Sequence, residues 1–116
     1  MRVFLHNPRC SKSRDALKLM TKSGKNFVLR NYIKAPLDIG ELEDLQKKLW
    51  LNVIEFTRTN ESEFKEFNLT KNSTDTEILK IMSKHPKLMQ RPIVYDENKA
   101  VLWRPDAENI LNIFKK

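Results

Sequence analysis

The feature that most constrains this chain is its opening alternation of period. Residues 2–5, RVFL, read as a short strand. Pro8 cannot donate to a ladder, so a loop should follow. From Ser13 onward Leu17 and Met20 recur at helical spacing beside Ala16, and Gly24, preceded by basic residues, offers a stop. Residues 27–30, FVLR, then read as a second strand. Two strands joined by a helix of this length pack most simply as a parallel pair with a crossover.

Pro36 breaks the next segment. Asp38 and Glu41 have capping-box spacing ahead of Leu42, Leu45 and Leu49 on one helical face. Short helices are expected near residues 52–56 and 61–67. Thr74 and Glu77 repeat the capping-box spacing before Ile78, Leu79, Ile81 and Met82. Residues 93–95, IVY, and 100–103, AVLW, read as strands joined by the four-residue loop DENK. Pro105 and Asp106 open a last helix with Ile110, Ile113 and Phe114 inside. The expectation is one α/β domain over 1–116, with a helical insertion at about 38–84 between the second strand and the C-terminal hairpin. A sheet covered by helices on both faces would bury this pattern.

Composition narrows the function classes. Apolar residues make up 40% of 116 residues, enough for a core without staples. The net charge of +7 is spread among 15 acidic residues, and no basic stripe interleaved with aromatics points to nucleic acid. No apolar run reaches signal-peptide or membrane-spanning length, so a cytoplasmic protein with no membrane partner is expected. One cysteine excludes an internal disulfide framework and a thiolate-rich metal site.

That cysteine, Cys10, lies in HNPRCSKSR, residues 6–14. A strand-to-helix loop aims backbone amides at an anion, and a cysteine there gains thiolate character from the amides and the helix dipole. Arg9, Lys12 and Arg14 add positive potential. The competing reading is an inert packed thiol, against which the polar neighbours argue. Cys10 and Ser13 form C-x-x-S, with no second thiol. Arg14 comes four positions after Cys10, whereas a phosphatase loop needs arginine at position 16, which is Ala16. His6 and His85 are the only histidines, and spacing alone places neither beside Cys10. Arg58 ends VIEFTR, Arg91 precedes Pro92 and Arg104 precedes Pro105. The last two flank the expected hairpin, and planar guanidinium groups suit tetrahedral oxyanions. Spacing alone leaves these arginines either solvent-facing or gathered at a site.

Four segments in order resemble the glutaredoxin-linked arsenate reductase (ArsC) family: HNPRCSKSR, FTRTNESEFKEFNL, HPKLMQRPIV and LWRP. The resemblance implies a thioredoxin-like mixed sheet. It implies Cys10 as nucleophile, with His6, Asn7, Ser13 and Arg14 supporting the thiolate. It assigns oxyanion binding to Arg58, Arg91 and Arg104, and a structural cis proline to Pro92. The implied reaction is reduction of arsenate to arsenite through a Cys10 adduct. Glutathione would be the co-substrate and glutaredoxin the partner that clears the mixed disulfide. No tightly bound cofactor or metal is implied. Two alternatives share the architecture. One is a glutathione-dependent thiol–disulfide reductase of other substrates. The other is an Spx-like regulator that binds RNA polymerase, although such regulators often carry C-x-x-C where this chain has Ser13.

Overall fold

The structure is a computed structural model and describes residues 2–90, 92–102 and 112–113. The chain divides into two compact units, Met1–Ala35 with Arg91–Lys116, and Pro36–Gln90.

The first unit holds a four-stranded sheet of order β2-β1-β3-β4. Strand β1 is Val3–His6, β2 Val28–Asn31, β3 Ile93–Tyr95 and β4 Ala100–Leu102. β1 pairs parallel with β2, Phe4 opposite Leu29, as the crossover pattern requires. It pairs antiparallel with β3, Phe4 opposite Val94, and β3 pairs antiparallel with β4. Helix α1, Ser11–Lys22, is the crossover. Its Ala16 and Met20 pack with Phe4, Val94 and Ile113 on one sheet face. Successive strand residues face opposite sides, and Leu5 and Ile93 are also fully buried, so both faces of the sheet are covered. Phe4→Ala would cost about 3–5 kcal/mol through the cavity left in this cluster.

Local chemistry explains the ends of α1. Gly24 adopts φ +72, a left-handed conformation that glycine takes at no steric cost, and its N–H caps Thr21 C=O at 3.2 Å. The hairpin loop closes on Asp96, whose side chain accepts the Asn98 and Lys99 N–H groups at 2.8 Å each. These two bonds make DENK a defined turn rather than a slack connection.

The second unit is helical. Helix α2 is Ile39–Leu49, α3 Ser62–Glu66 and α4 Asp75–Lys84. Both expected capping boxes form. The Asp38 side chain accepts the Glu41 N–H at 2.8 Å, and Thr74 Oγ1 accepts the Glu77 N–H at 3.2 Å. Each glutamate reaches back to the cap's own N–H at 3.1 Å. A cap of this kind is worth about 1 kcal/mol. Leu42, Leu45, Ile78, Leu79 and Met82 are buried as the periodicity predicts. Leu49 and Ile81 are only half-buried, at the margins of their helical stripes.

Several boundaries differ from the sequence expectation. α1 begins at Ser11, two residues early, its first turn closed by the Arg14 N–H on the Cys10 C=O at 3.0 Å. β2 is displaced by one residue to Val28–Asn31. The helix expected near 52–56 is a 3-10 helix, Val53–Phe56, and a second one, Pro86–Leu88, was not anticipated. The expected C-terminal helix falls largely outside the described residues, of which Asn112 and Ile113 have 3-10 geometry. Among the described residues no helix is long and apolar enough to cross a membrane.

Candidate active site

The loop between β1 and α1 is built by Asn7. Its C=O accepts the Cys10 N–H at 3.0 Å, and its side-chain oxygen accepts the Arg9 N–H at 3.1 Å. Those bonds turn the chain so that Cys10 becomes the N-cap of α1, with extended φ −99 and ψ 122 and its C=O accepting from the Arg14 N–H at 3.0 Å. No side-chain capping bond forms there. The first-turn amides of a helix lack intrahelical partners and carry the positive end of its dipole. The Cys10 side chain therefore stands at the end of α1 where negative charge is stabilised.

Ser13, in the first turn of α1, is fully buried and points back into this loop. Its Oγ accepts the Asn7 N–H at 3.0 Å and lies 2.7 Å from His6 Nδ1. His6 ends β1 and is 7% exposed. Burial, and secondarily the charge of Arg14, hold its pKa below the ordinary histidine value, so the neutral ring is favoured. Arg14 itself donates through Nη1 to Pro8 C=O at 2.9 Å, clasping the loop from outside.

His6, Asn7, Ser13 and Arg14, which the family resemblance grouped with Cys10, are hydrogen-bonded within or against the loop that carries it. The sequence did not anticipate the burial of the thiol. Polar neighbours in sequence suggested exposure, yet Cys10 is 8% exposed. The reason is that Arg9, Lys12 and Arg14 project outward while position 10 turns inward as the helix cap.

Arg58 belongs to the second unit. Thr57 bridges to Met89, the Arg58 N–H donates to Leu88 C=O, at 2.6 Å, and the Gln90 N–H donates to Phe56 C=O at 2.8 Å. These bonds fix the Arg58 backbone against residues 88–90, the segment that leads in sequence into Arg91. The Arg58 Nη1 is 2.5 Å from Glu61 Oε1, an ion pair that sequence reasoning missed although its three-residue spacing was the available signal. Arg91 and Arg104 lie outside the described residues. Pro92 is buried at the entrance to β3. Among the described residues no group of three or more His, Cys, Asp or Glu side chains is arranged to hold a metal ion.

A mixed sheet with a parallel β1-α1-β2 unit, an antiparallel hairpin and a cysteine capping α1 is the thioredoxin-like architecture. Residues 5–112 match the ArsC family, and the chain belongs to it. An arsenate reductase of Neisseria meningitidis serogroup A is 39% identical over 112 residues, covering 95% of this chain and 94% of that protein. The uncharacterized protein YfgD of Escherichia coli K12 is 42% identical over 110 residues, covering 93% and 92%. Among solved structures, an arsenate reductase from Vibrio cholerae superposes with a TM-score of 0.89 at 37% identity, covering 97% of this chain and 96% of that one.

Proposed function

We propose that the protein is a single-cysteine reductase in which Cys10 attacks an oxidised centre and an external thiol resolves the product. The observation that carries this reading is Cys10 at the cap of α1, in a chain with no other cysteine. A thiolate is the reactive form of the residue, and the first-turn amides of α1 favour it. His6, Asn7, Ser13 and Arg14 hold the loop in the shape that presents those amides. With no resolving cysteine in the chain, the second pair of sulfur electrons must come from outside. A small cellular thiol such as glutathione fits, with glutaredoxin clearing the final mixed disulfide.

Arsenate is the substrate suggested by the names of the relatives. In that reaction Cys10 sulfur displaces an arsenate oxygen, which leaves as water. Arg58, Arg91 and Arg104 would neutralise the remaining oxygens. Glutathione sulfur then attacks the Cys10 sulfur. Arsenic gains two electrons and departs as arsenite, while the two sulfurs become a Cys10–glutathione disulfide. The second reading is thiol–disulfide exchange on other substrates. Cys10 would then take glutathione from a mixed disulfide, releasing the substrate thiol, and a second glutathione would leave as the oxidised dimer. The Arg58–Glu61 pair favours this reading, because it leaves Arg58 already matched by a carboxylate.

The test is turnover of arsenate, and separately of a glutathione mixed disulfide, with glutathione and an independently active glutaredoxin. Both reactions should leave glutathione on Cys10, visible by mass spectrometry, and Cys10→Ser should abolish them. Turnover of the mixed disulfide alone would remove arsenate from the proposal. Failure of both substrates would overturn the proposal as a whole.

A further inference from the structure

Arg58 and Glu61 form a contact that the proposed reaction does not use. Arg58 Nη1 sits 2.5 Å from Glu61 Oε1, with the two side chains 26% and 24% exposed. The backbone holds both ends of the pair. Glu61 N–H donates to Arg58 C=O at 3.1 Å, and Arg58 N–H is bonded to Leu88 C=O. Glu61 also stands at the N-cap of α3, where its side chain makes no capping bond. The carboxylate is thus turned away from its own helix and onto the guanidinium.

We propose that Glu61 is a tethered competitor for the Arg58 guanidinium and sets how strongly an anion must bind before it is accepted. This rests on the proposed assignment of Arg58 to oxyanion binding. A carboxylate attached three residues away acts at an effective concentration on the order of millimolar or more. An incoming anion binds only the fraction of molecules in which Glu61 has let go, so its apparent affinity falls by that fraction. A weakly held anion, such as a monocarboxylate meeting Arg58 alone, drops out of the working range. A tetrahedral dianion that engages several donors at once stays within it. Glu61 therefore sets the affinity threshold of this site, acting through Arg58 rather than on the reacting atoms.

The test follows the Arg58 Nε–H resonance by NMR while inorganic sulfate, a non-reacting tetrahedral dianion, is titrated into wild type, Glu61→Gln and Glu61→Asp. Glu61→Gln should tighten sulfate by roughly three- to five-fold, the scale of a partly exposed ion pair. Glu61→Asp, which keeps the charge, should stay close to wild type. Acetate should perturb the resonance in Glu61→Gln at concentrations that leave wild type unchanged. Sulfate binding at Arg58 with equal affinity in wild type and Glu61→Gln would overturn the inference while leaving Arg58 as an anion site. An Arg58 resonance that ignores sulfate in every variant would overturn the assignment of Arg58 and the inference together. A Glu61→Ala variant, checked by its thermal unfolding, repeats the comparison if the glutamine variant is poorly folded.

Discussion

Ser13 Oγ lies 2.7 Å from His6 Nδ1 and also takes the Asn7 N–H at 3.0 Å, so one buried hydroxyl ties the end of β1 to the first turn of α1. Ser13→Ala removes both bonds and leaves a buried ring nitrogen and a backbone amide without this partner. The expected loss is about 1–3 kcal/mol of stability. Denaturant unfolding measures it, and the alkylation rate of Cys10 should change with it because the loop loses its anchor. An unchanged midpoint together with an unchanged alkylation rate would show that the hydroxyl is dispensable.

His6 gives the fold an acid sensitivity. Burial first, and Arg14 second, hold its pKa below the usual value. Between that lowered value and about 6.5, the unfolded chain binds more protons than the folded one. The contribution is therefore complete above about pH 6.5 and is lost as pH falls through the folded value. Thermal midpoints should drop on acidification across this window. His6→Gln should flatten that dependence, and an equally steep profile in the variant would assign the effect to other groups.

Cys10 makes no side-chain capping bond at the start of α1, whereas serine is among the preferred residues at such a position. Cys10→Ser is thus expected to keep its stability or gain up to about 1 kcal/mol. It should lose all reaction with iodoacetamide and all thiol-dependent turnover. A variant that unfolds instead would mean the thiol is held chiefly for packing.

On the proposed oxyanion role of Arg58, Arg58→Ala should separate anion recognition from thiol reactivity. Loss of a charged hydrogen bond to an oxyanion costs about 1.5–3 kcal/mol, or roughly a ten- to hundred-fold rise in KM for arsenate. Alkylation of Cys10 by a neutral reagent should be unaffected. Parallel losses in both assays would indicate a damaged fold.

Trp50 ends α2 with φ 58 and is 90% exposed. A residue with a Cβ pays about 1–2 kcal/mol for this left-handed conformation, and the side chain gains little burial in return. Trp50→Gly should raise stability by about 0.5–1 kcal/mol after the greater freedom of the unfolded glycine is counted. A lower unfolding midpoint in the variant would mean that the indole has a packing role.

The elements legible in the sequence are those written in local chemistry. Both capping boxes, the helix stop at Gly24 and the four-residue turn at Asp96 depend on residues within three positions of one another. The parallel pairing of β1 with β2 was also legible from the crossover, whereas the register and the antiparallel pairing of β1 with β3 are contacts between segments distant in sequence and were not. The burial of Cys10 was not legible, because it depends on which way the loop turns at Asn7 rather than on neighbouring polarity. Resemblance brought Ser13 and His6 together, while spacing alone placed neither histidine near the thiol. The bridge between Thr57 and Met89 could not be read at all, since it joins positions whose side chains carry no pairing signal.

That bridge has a consequence for how this chain can vary. It fastens residues 57 and 89 together, so the stretch between them leaves and returns at a single clasp. Lengthening a closed loop of this size costs little, because the entropy of closure grows only logarithmically. The exposed turn at residues 70–73, far from either end of the clasp in sequence, is where length can change most freely. The stretch between residues 57 and 89 is thus open to remodelling at its tip while the backbone of Arg58 keeps its seat.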